Sequence, residues 1–308
     1  MRADLLTVVA AYFNPILYES RKRLYDAFKL HMKESGVRLI TVECALGERE
    51  FEVTKPNNRD HVQVRSRTLV WNKENLLNLG IAHAKRTNPS LRYVGAFDAD
   101  IRFRNADWAT RTVHALQHYA VVQPWAHCYD LGPNGEHVQV DMSLGYYWHH
   151  FMKHRMKEPP YKFCHPGYAW AYRVDELDKV GGLLEIAALG AADHHMGLAI
   201  LGKVMDSVPK GMGASYLAQL TKWERLALKW FDKKFGYVNQ TIEHEFHGLK
   251  RHRQYVDRWQ ILIEEKFCPV NDLSYNTYGV MELAGNKRKF AHRIDQYFRQ
   301  REEDRNVL

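Results

Sequence analysis

The run Leu5-Leu6-Thr7-Val8-Val9-Ala10-Ala11 constrains this chain most. An apolar stretch of that kind, closed by Asn14-Pro15, reads as a β-strand buried on both faces. Such a strand needs helices above and below its sheet, which points to an α/β architecture. The next segments agree. Ser20 is placed to cap a helix to about Ser35, with Leu24, Phe28 and Met32 on one stripe and Gly36 ending it. Val37 to Glu43 is the next strand, and a β-α-β opening implies parallel pairing with a right-handed crossover. Tyr12 and Phe13 stand where a signal peptide would have a small-residue cleavage site, so the beginning reads as a strand.

The same alternation continues. Asn72 is placed to cap a helix over Lys73 to Arg86, Leu91 to Phe97 is a strand, and Asn105 opens a helix to about His118. Ala120 to Gln123 and Gly167 to Arg173 read as strands, Asp130 to Glu136 as a turn-rich loop, and Ala218 to Lys234 as a helix. Tyr146 to Tyr161 is dense in aromatic residues and His. Residues from about 258 read as a helical C-terminal arm, giving a main domain over 1–257 and the arm over 258–308. No window approaches the roughly 18 apolar residues of a membrane span. Cys44, Cys128, Cys164 and Cys268 show no C-x-x-C spacing, so thiolate metal sites and a disulfide framework are not expected, and a reducing, cytoplasmic setting is. With 44 basic against 36 acidic residues, a net charge of +8 and a pI near 9.2, the chain suits a polyanion or a phosphate-bearing substrate.

Asp98-Ala99-Asp100 directly follows an apolar strand. Carboxylates at that place face the crevice where α/β proteins bind ligands, and hard oxygen ligands there suit Mg²⁺ or Mn²⁺ bridging a diphosphate. A solvated Asp-rich turn would show the same tripeptide. Asp193, in Gly190-Ala191-Ala192-Asp193-His194-His195, is placed to act as a general base or, more simply, as a helix N-cap. His244 and His247 could complete a metal site with Asp100, or could be an incidental pair among 17 histidines. Gly181-Gly182 allows a close backbone approach or a turn.

In this order the features resemble the GT-A glycosyltransferases. Leu69-Val70-Trp71-Asn72-Lys73-Glu74-Asn75, Phe97-Asp98-Ala99-Asp100, Val121-Val122-Gln123-Pro124-Trp125 and His165-Pro166-Gly167-Tyr168-Ala169-Trp170 are similar to one family-two-like branch of bacteria and bacteriophages. So are Ala192-Asp193-His194-His195-Met196, Phe246-His247-Gly248, Arg253-Gln254-Tyr255 with Arg258, and Tyr297 to Asp304. The resemblance implies a Rossmann-like, mostly parallel central sheet flanked by helices, with the helical arm packed on it. Asp100 would ligate Mn²⁺ or Mg²⁺ with His247, His244 being the second candidate, and Asp98 would lie near the metal or the donor ribose. Asp193 matches the base of inverting members. Tyr12, Asn14, Pro15, Lys73, Asn78, Asp98 and Ala99 would face the donor, and Trp125, His165, Trp170 and His194 the acceptor. Where relatives carry two acids at the loop, Ala192-Asp193 leaves one, with His194 as a possible partner.

The resemblance implies transfer of a hexosyl or pentosyl group from a nucleotide sugar, most commonly a UDP-sugar, to an acceptor hydroxyl. The acceptor could be a saccharide, a protein side chain, a lipid-linked sugar, or a 5-hydroxymethylpyrimidine in phage DNA. For DNA speak Lys250, Arg251, Arg253, Tyr255, Arg258, Trp259 and Lys287 to Lys289, with Tyr146, Tyr147 and Trp148 to stack on an extruded base. A non-catalytic sugar- or nucleic-acid-binding protein on the same scaffold is the alternative from another class.

Overall fold

In the computed structural model, which describes residues 3–152 and 164–305, the opening apolar run is β1 (Leu6–Tyr12). Helix α1 (Glu19–Glu34) leads to β2 (Arg38–Leu46) and β3 (His61–Ser66), and α2 (Lys73–Thr87) to β4 (Tyr93–Phe97). After β5 (Ile101–Phe103) come α3 (Trp108–Leu116), β6 (Val121–Gln123), and the hairpin of β7 (His127–Leu131) and β8 (His137–Ser143). Beyond them lie α4 (Leu144–Tyr147), β9 (Cys164–His165), β10 (Ala169–Arg173), α5 (Val174–Val180), α6 (Ala192–Ile200) and α7 (Ala214–Trp230). The remainder is β11 (Phe235–Tyr237), β12 (Thr241–His244), α8 (Arg258–Glu264), α9 (Pro269–Asp272), β13 (Leu273–Tyr275), β14 (Met281–Leu283) and α10 (Arg288–Gln300).

The central sheet has strand order β11-β6-β10-β4-β1-β2-β3. Its neighbours pair in parallel, except that β10 runs antiparallel to β4 and β6. The fold is therefore α/β with a mostly parallel central sheet. Strand alternation divides β1 between two cores. Val9 faces the core of α2, α6 and α7, while Leu6, Val8 and Ala10 face that of α1 and α3. A second sheet, ordered β5-β12-β7-β8-β9, is joined to the C-terminal end of β4 through β5.

Several local expectations are corrected. Ser20 does not cap α1. Tyr18 holds the cap position without a capping side chain, and the carboxylate of Asp304 accepts the Glu19 and Ser20 N–H groups at 2.8 Å each. Asn72 stands at the start of α2 but makes no side-chain cap, its amide lying 3.9 Å from Cys44 Sγ. Helix α3 starts at Trp108, and Asn105 contributes only its carbonyl to the Trp108 N–H. Asp130 belongs to β7 and is buried, so the turn is shorter than its composition suggests. The aromatic stretch from Tyr146 is described only to Met152; its remainder lies outside the described residues. The segment past residue 258 is not wholly helical, because β13 and β14 form a hairpin in it. It buries Leu262, Phe267, Val280, Phe290, Ile294 and Tyr297 in the same core as α2 and α6. Among the described residues no helix is long and apolar enough to cross a membrane.

Gly80 sets how closely α2 approaches the sheet. A Cβ there would come within 2.3 Å of Val9 Cγ1 and 2.8 Å of Val42 Cγ2. These are stiff, buried β-branched side chains that cannot swing away. Gly80→Ala is thus expected to destabilise the fold by about 1–3 kcal/mol through overpacking. This outweighs the gain of up to about 1 kcal/mol that alanine normally brings to a helix. Denaturant unfolding measures the net sign, and a stabilised variant would show that the contact relaxes freely.

Candidate functional site

Asp98-Ala99-Asp100 carries the chain from β4 in the central sheet to β5 in the second sheet. Both ends of the tripeptide are pinned: the Asp98 N–H donates to the Tyr168 carbonyl at 2.8 Å, and the Asp100 carbonyl accepts the Glu245 N–H at 2.9 Å. Strand β12 pairs antiparallel with β5, with His244 opposite Ile101, which sets His244 beside Asp100. His247 comes three residues later in a turn closed by Gly248. That glycine has φ +82°, and a Cβ on it would come 3.0 Å from the Glu302 carbonyl oxygen, so the turn requires glycine.

His247 Nε2 lies 3.1 Å and His244 Nε2 3.8 Å from Asp100 Oδ2, and the two ring nitrogens are 3.3 Å apart. The remaining nitrogen of each ring faces a buried carboxylate. His244 Nδ1 is 2.5 Å from Asp130 Oδ1, and His247 Nδ1 is 3.7 Å from Glu303 Oε2. Asp130 also pairs with Lys250. Burial raises the affinity of Asp100 for a proton, but the two imidazoles and Arg253 outweigh it and hold the carboxyl well below the usual range. Its Oδ1 is buried with no hydrogen-bond partner. One carboxylate oxygen and two imidazole nitrogens converge within 4.8 Å, each ring oriented from behind by a carboxylate. That donor set, with the orphaned oxygen, fits a divalent transition-metal ion.

Asp193 stands across the same cavity. It lies in the first turn of α6, whose cap position is Ala191 in the left-handed region at φ 78°, so Asp193 is not the N-cap. Its Oδ1 accepts the His194 N–H at 2.8 Å, and its Oδ2 lies so close to Gly167 that a Cβ there would stand 2.7 Å away. Burial opposes its ionisation, but Lys73, His165 and the His194 N–H overcome burial, and the group stays below its ordinary value. Lys73, the first residue of α2, reaches Asp98 Oδ1 at 2.9 Å. Burial pushes Glu74 up to about 7 despite the neighbouring Lys73, and pushes His165 and His194 down to about 4. Near neutrality Asp193 is therefore an anion facing neutral imidazoles.

The cavity is about 540 Å³. Of the candidates named from sequence, Tyr12, Lys73, Asp98, Ala99, Asp100, His165, Asp193, His194, His244 and His247 line it. Other expected contacts do not reach it. Asn14 is buried behind Tyr12, donating to the Tyr12 hydroxyl at 3.3 Å and the Tyr18 carbonyl at 3.0 Å, and Pro15 is not in the wall. Asn78 is held by the Leu183 carbonyl at 2.9 Å and Glu185 Oε1 at 2.6 Å. Trp125 is fully buried edge-on to Tyr168, and Trp170 donates to the Pro166 carbonyl from within the core. These five lie outside the cavity wall.

The wall also contains residues to which sequence reasoning gave no role. Trp71 and Glu74 flank the Asn72-Lys73 pair. Phe298, Arg301 and Glu303 come from the C-terminal segment, and Arg21 from α1. Glu303 ties the last of these together, pairing with Arg21 at 2.7 Å and Arg301 at 2.6 Å. Arg253, Arg258 and Trp259, read from sequence as contacts to a DNA backbone, stand in the cavity wall instead.

The sequence matches no protein-family model and no curated protein. Three solved structures resemble the fold at a distance. One, from Desulfovibrio desulfuricans G20, is described as a nucleotide-diphospho-sugar transferase (9% identity, 78% of this chain and 82% of that one, TM-score 0.33). Another is the catalytic domain of Drosophila beta1,4galactosyltransferase 7 in complex with xylobiose (10%, 92% and 96%, TM-score 0.40). The third, from Bacillus anthracis, is described as a glucose-1-phosphate thymidylyltransferase, in complex with sucrose (8%, 76% and 87%, TM-score 0.37). The functional reading rests on the geometry of the site instead.

If Asp130 orients His244 toward a cation, Asp130→Asn should weaken Mn²⁺ binding by about 10- to 100-fold. Calorimetric titration of Mn²⁺ into the wild-type and variant proteins measures this, and equal affinities would remove Asp130 from the site.

Proposed function

We propose that this protein is a metal-dependent, inverting glycosyltransferase that moves a sugar from a nucleoside-diphosphate donor, a UDP-sugar by the resemblance, to an acceptor hydroxyl. The observation that carries this reading is that one cavity holds both the Asp100-His244-His247 cluster and the ionised Asp193. A divalent cation on that cluster would supply Lewis-acid neutralisation of charge on the departing diphosphate. Two imidazoles among the ligands favour Mn²⁺ over Mg²⁺, which prefers oxygen donors throughout.

The chain's own residues account for the rest. Tyr12 and Phe13, at the end of β1, form the wall for the nucleoside, and Lys73 holds Asp98 in place beside them. The acceptor oxygen attacks the anomeric carbon, and its bond to the diphosphate oxygen breaks. Asp193 takes the hydroxyl proton, and the nucleoside diphosphate leaves with the bonding electrons. A single displacement of this kind inverts the anomeric centre. His165 and His194, neutral and beside Asp193, are positioned to hydrogen-bond the incoming acceptor.

The features that suggested a DNA acceptor are dispersed. Tyr146 packs on His150 and Tyr237, and Tyr147 is buried. Lys250, Lys287 and Lys289 pair with Asp130, Asp272 and Glu265, while Arg253 and Arg258 line the cavity. This arrangement favours an acceptor that enters the cavity, whose wall includes Trp71 and Trp259, over one laid along a basic track.

The test is nucleoside diphosphate release from a panel of nucleotide sugars, with Mn²⁺ and with EDTA. Release should need the metal, and Asp193→Asn should lower transfer by about 10²- to 10⁴-fold while donor still binds. Undiminished transfer would remove Asp193 as the base. Donor binding without release from any sugar would establish the non-catalytic alternative.

A further inference from the structure

The arginines of the cavity are not equivalent. Arg21 and Arg301 share the carboxylate of Glu303. Among the described residues, Arg253 and Arg258 have no carboxylate within ion-pair distance. Arg253 stands on the metal side, with Nη2 3.0 Å from His247 Nε2, as a group facing the diphosphate would. Arg258 stands elsewhere. Its Nη1 approaches Gly190, three residues before Asp193, so closely that a Cβ there would come within 2.9 Å. Gly190 has φ +88° and no side chain, which leaves the guanidinium room beside the base.

Arg258 is only 8% exposed. Its Nε is buried with no hydrogen-bond partner, and Nη1 makes one long contact, 3.5 Å, to the Tyr297 hydroxyl, which Arg301 also approaches at 3.2 Å. A face of Tyr255 lies 5.3 Å from the guanidinium and offers weak compensation. A buried, forked donor left unpaired is costly unless an oxyanion completes it, and a guanidinium matches carboxylate or phosphate in geometry. We infer that Arg258 seats an anionic group of the acceptor, a carboxylate or a phosphate, next to the hydroxyl that Asp193 deprotonates. This rests on Asp193 as the base, and it narrows the acceptor from any hydroxyl compound to an acidic one.

Two measurements test it. The first is independent of turnover: inorganic phosphate is titrated calorimetrically in EDTA into the wild-type, Arg258→Gln, Arg258→Lys and Arg253→Gln proteins, with circular dichroism as the check on folding. Arg258→Gln should weaken phosphate by about tenfold or more, the scale of one charge-assisted hydrogen bond. Arg258→Lys should retain part of the affinity, and Arg253→Gln should retain most of it. Equal binding by wild type and Arg258→Gln, or an equal loss in Arg253→Gln, overturns the proposal.

The second compares transfer by the wild-type protein in Mn²⁺ to glucuronate, glucose 6-phosphate and glucose. An anionic acceptor should be preferred, its ratio to glucose should collapse in Arg258→Gln, and the better of the two anions identifies carboxylate or phosphate as the source. Preference for glucose overturns the proposal. Absence of release from every donor would instead sink the transferase reading, and the phosphate titration would still decide the anion seat.

Discussion

The handover of the chain from one sheet to the other at Asp98-Ala99-Asp100 is the constraint on which the site depends. Phe97 ends a strand of the central sheet and Ile101 begins one of the second sheet, so the tripeptide has no ladder of its own. Its backbone is held instead by the Tyr168 carbonyl on one side and the Glu245 amide on the other. Both partners belong to segments that carry further site residues, so one pair of hydrogen bonds aligns three parts of the chain. Tyr168 also stacks on His165 at 4.1 Å and leans on His244 at 4.8 Å. The two walls of the cavity thus share a rigid aromatic wedge.

Much of the central sheet is readable from sequence because burial on both faces leaves a continuous apolar signature, as in Leu6 to Ala11. The placement of Asp98 and Asp100 is readable for the same reason: they come directly after such a run. The second sheet is not. Its strands β5 and β12 are short, and they meet only through pairing between Ile101–Phe103 and Thr241–His244, far apart in sequence. Asp130 illustrates the consequence. In Asp130-Leu131-Gly132-Pro133-Asn134 the composition says turn, while the structure uses its first residue to orient His244.

The sequence-derived candidates that fall outside the cavity do so for a related reason. Asn78 and Trp170 sit in segments whose neighbours do reach the cavity, but the side-chain direction depends on packing that no local pattern encodes. Asn78 faces the Leu183 to Glu185 loop because the spacing along α2 turns it there, away from Lys73. Arg301 and Glu303 are hidden differently. In a segment dense in charge, nothing local separates the buried pair from the solvated Arg299 and Arg305.

The carboxylates of Glu303 and Asp304 have a bearing on how the cavity is completed. Asp304 joins the start of α1 across a separation of 284 residues, and Glu303 brings Arg21 and the His247 ring to one place. The closure entropy of so long a loop is offset only when the intervening sheets already hold its ends near one another. The cavity wall and the carboxylate behind His247 therefore depend on contacts between the two ends of the described chain. Without those contacts Asp98 and Asp100 would still stand at a strand end, but the pocket around them would lack one wall.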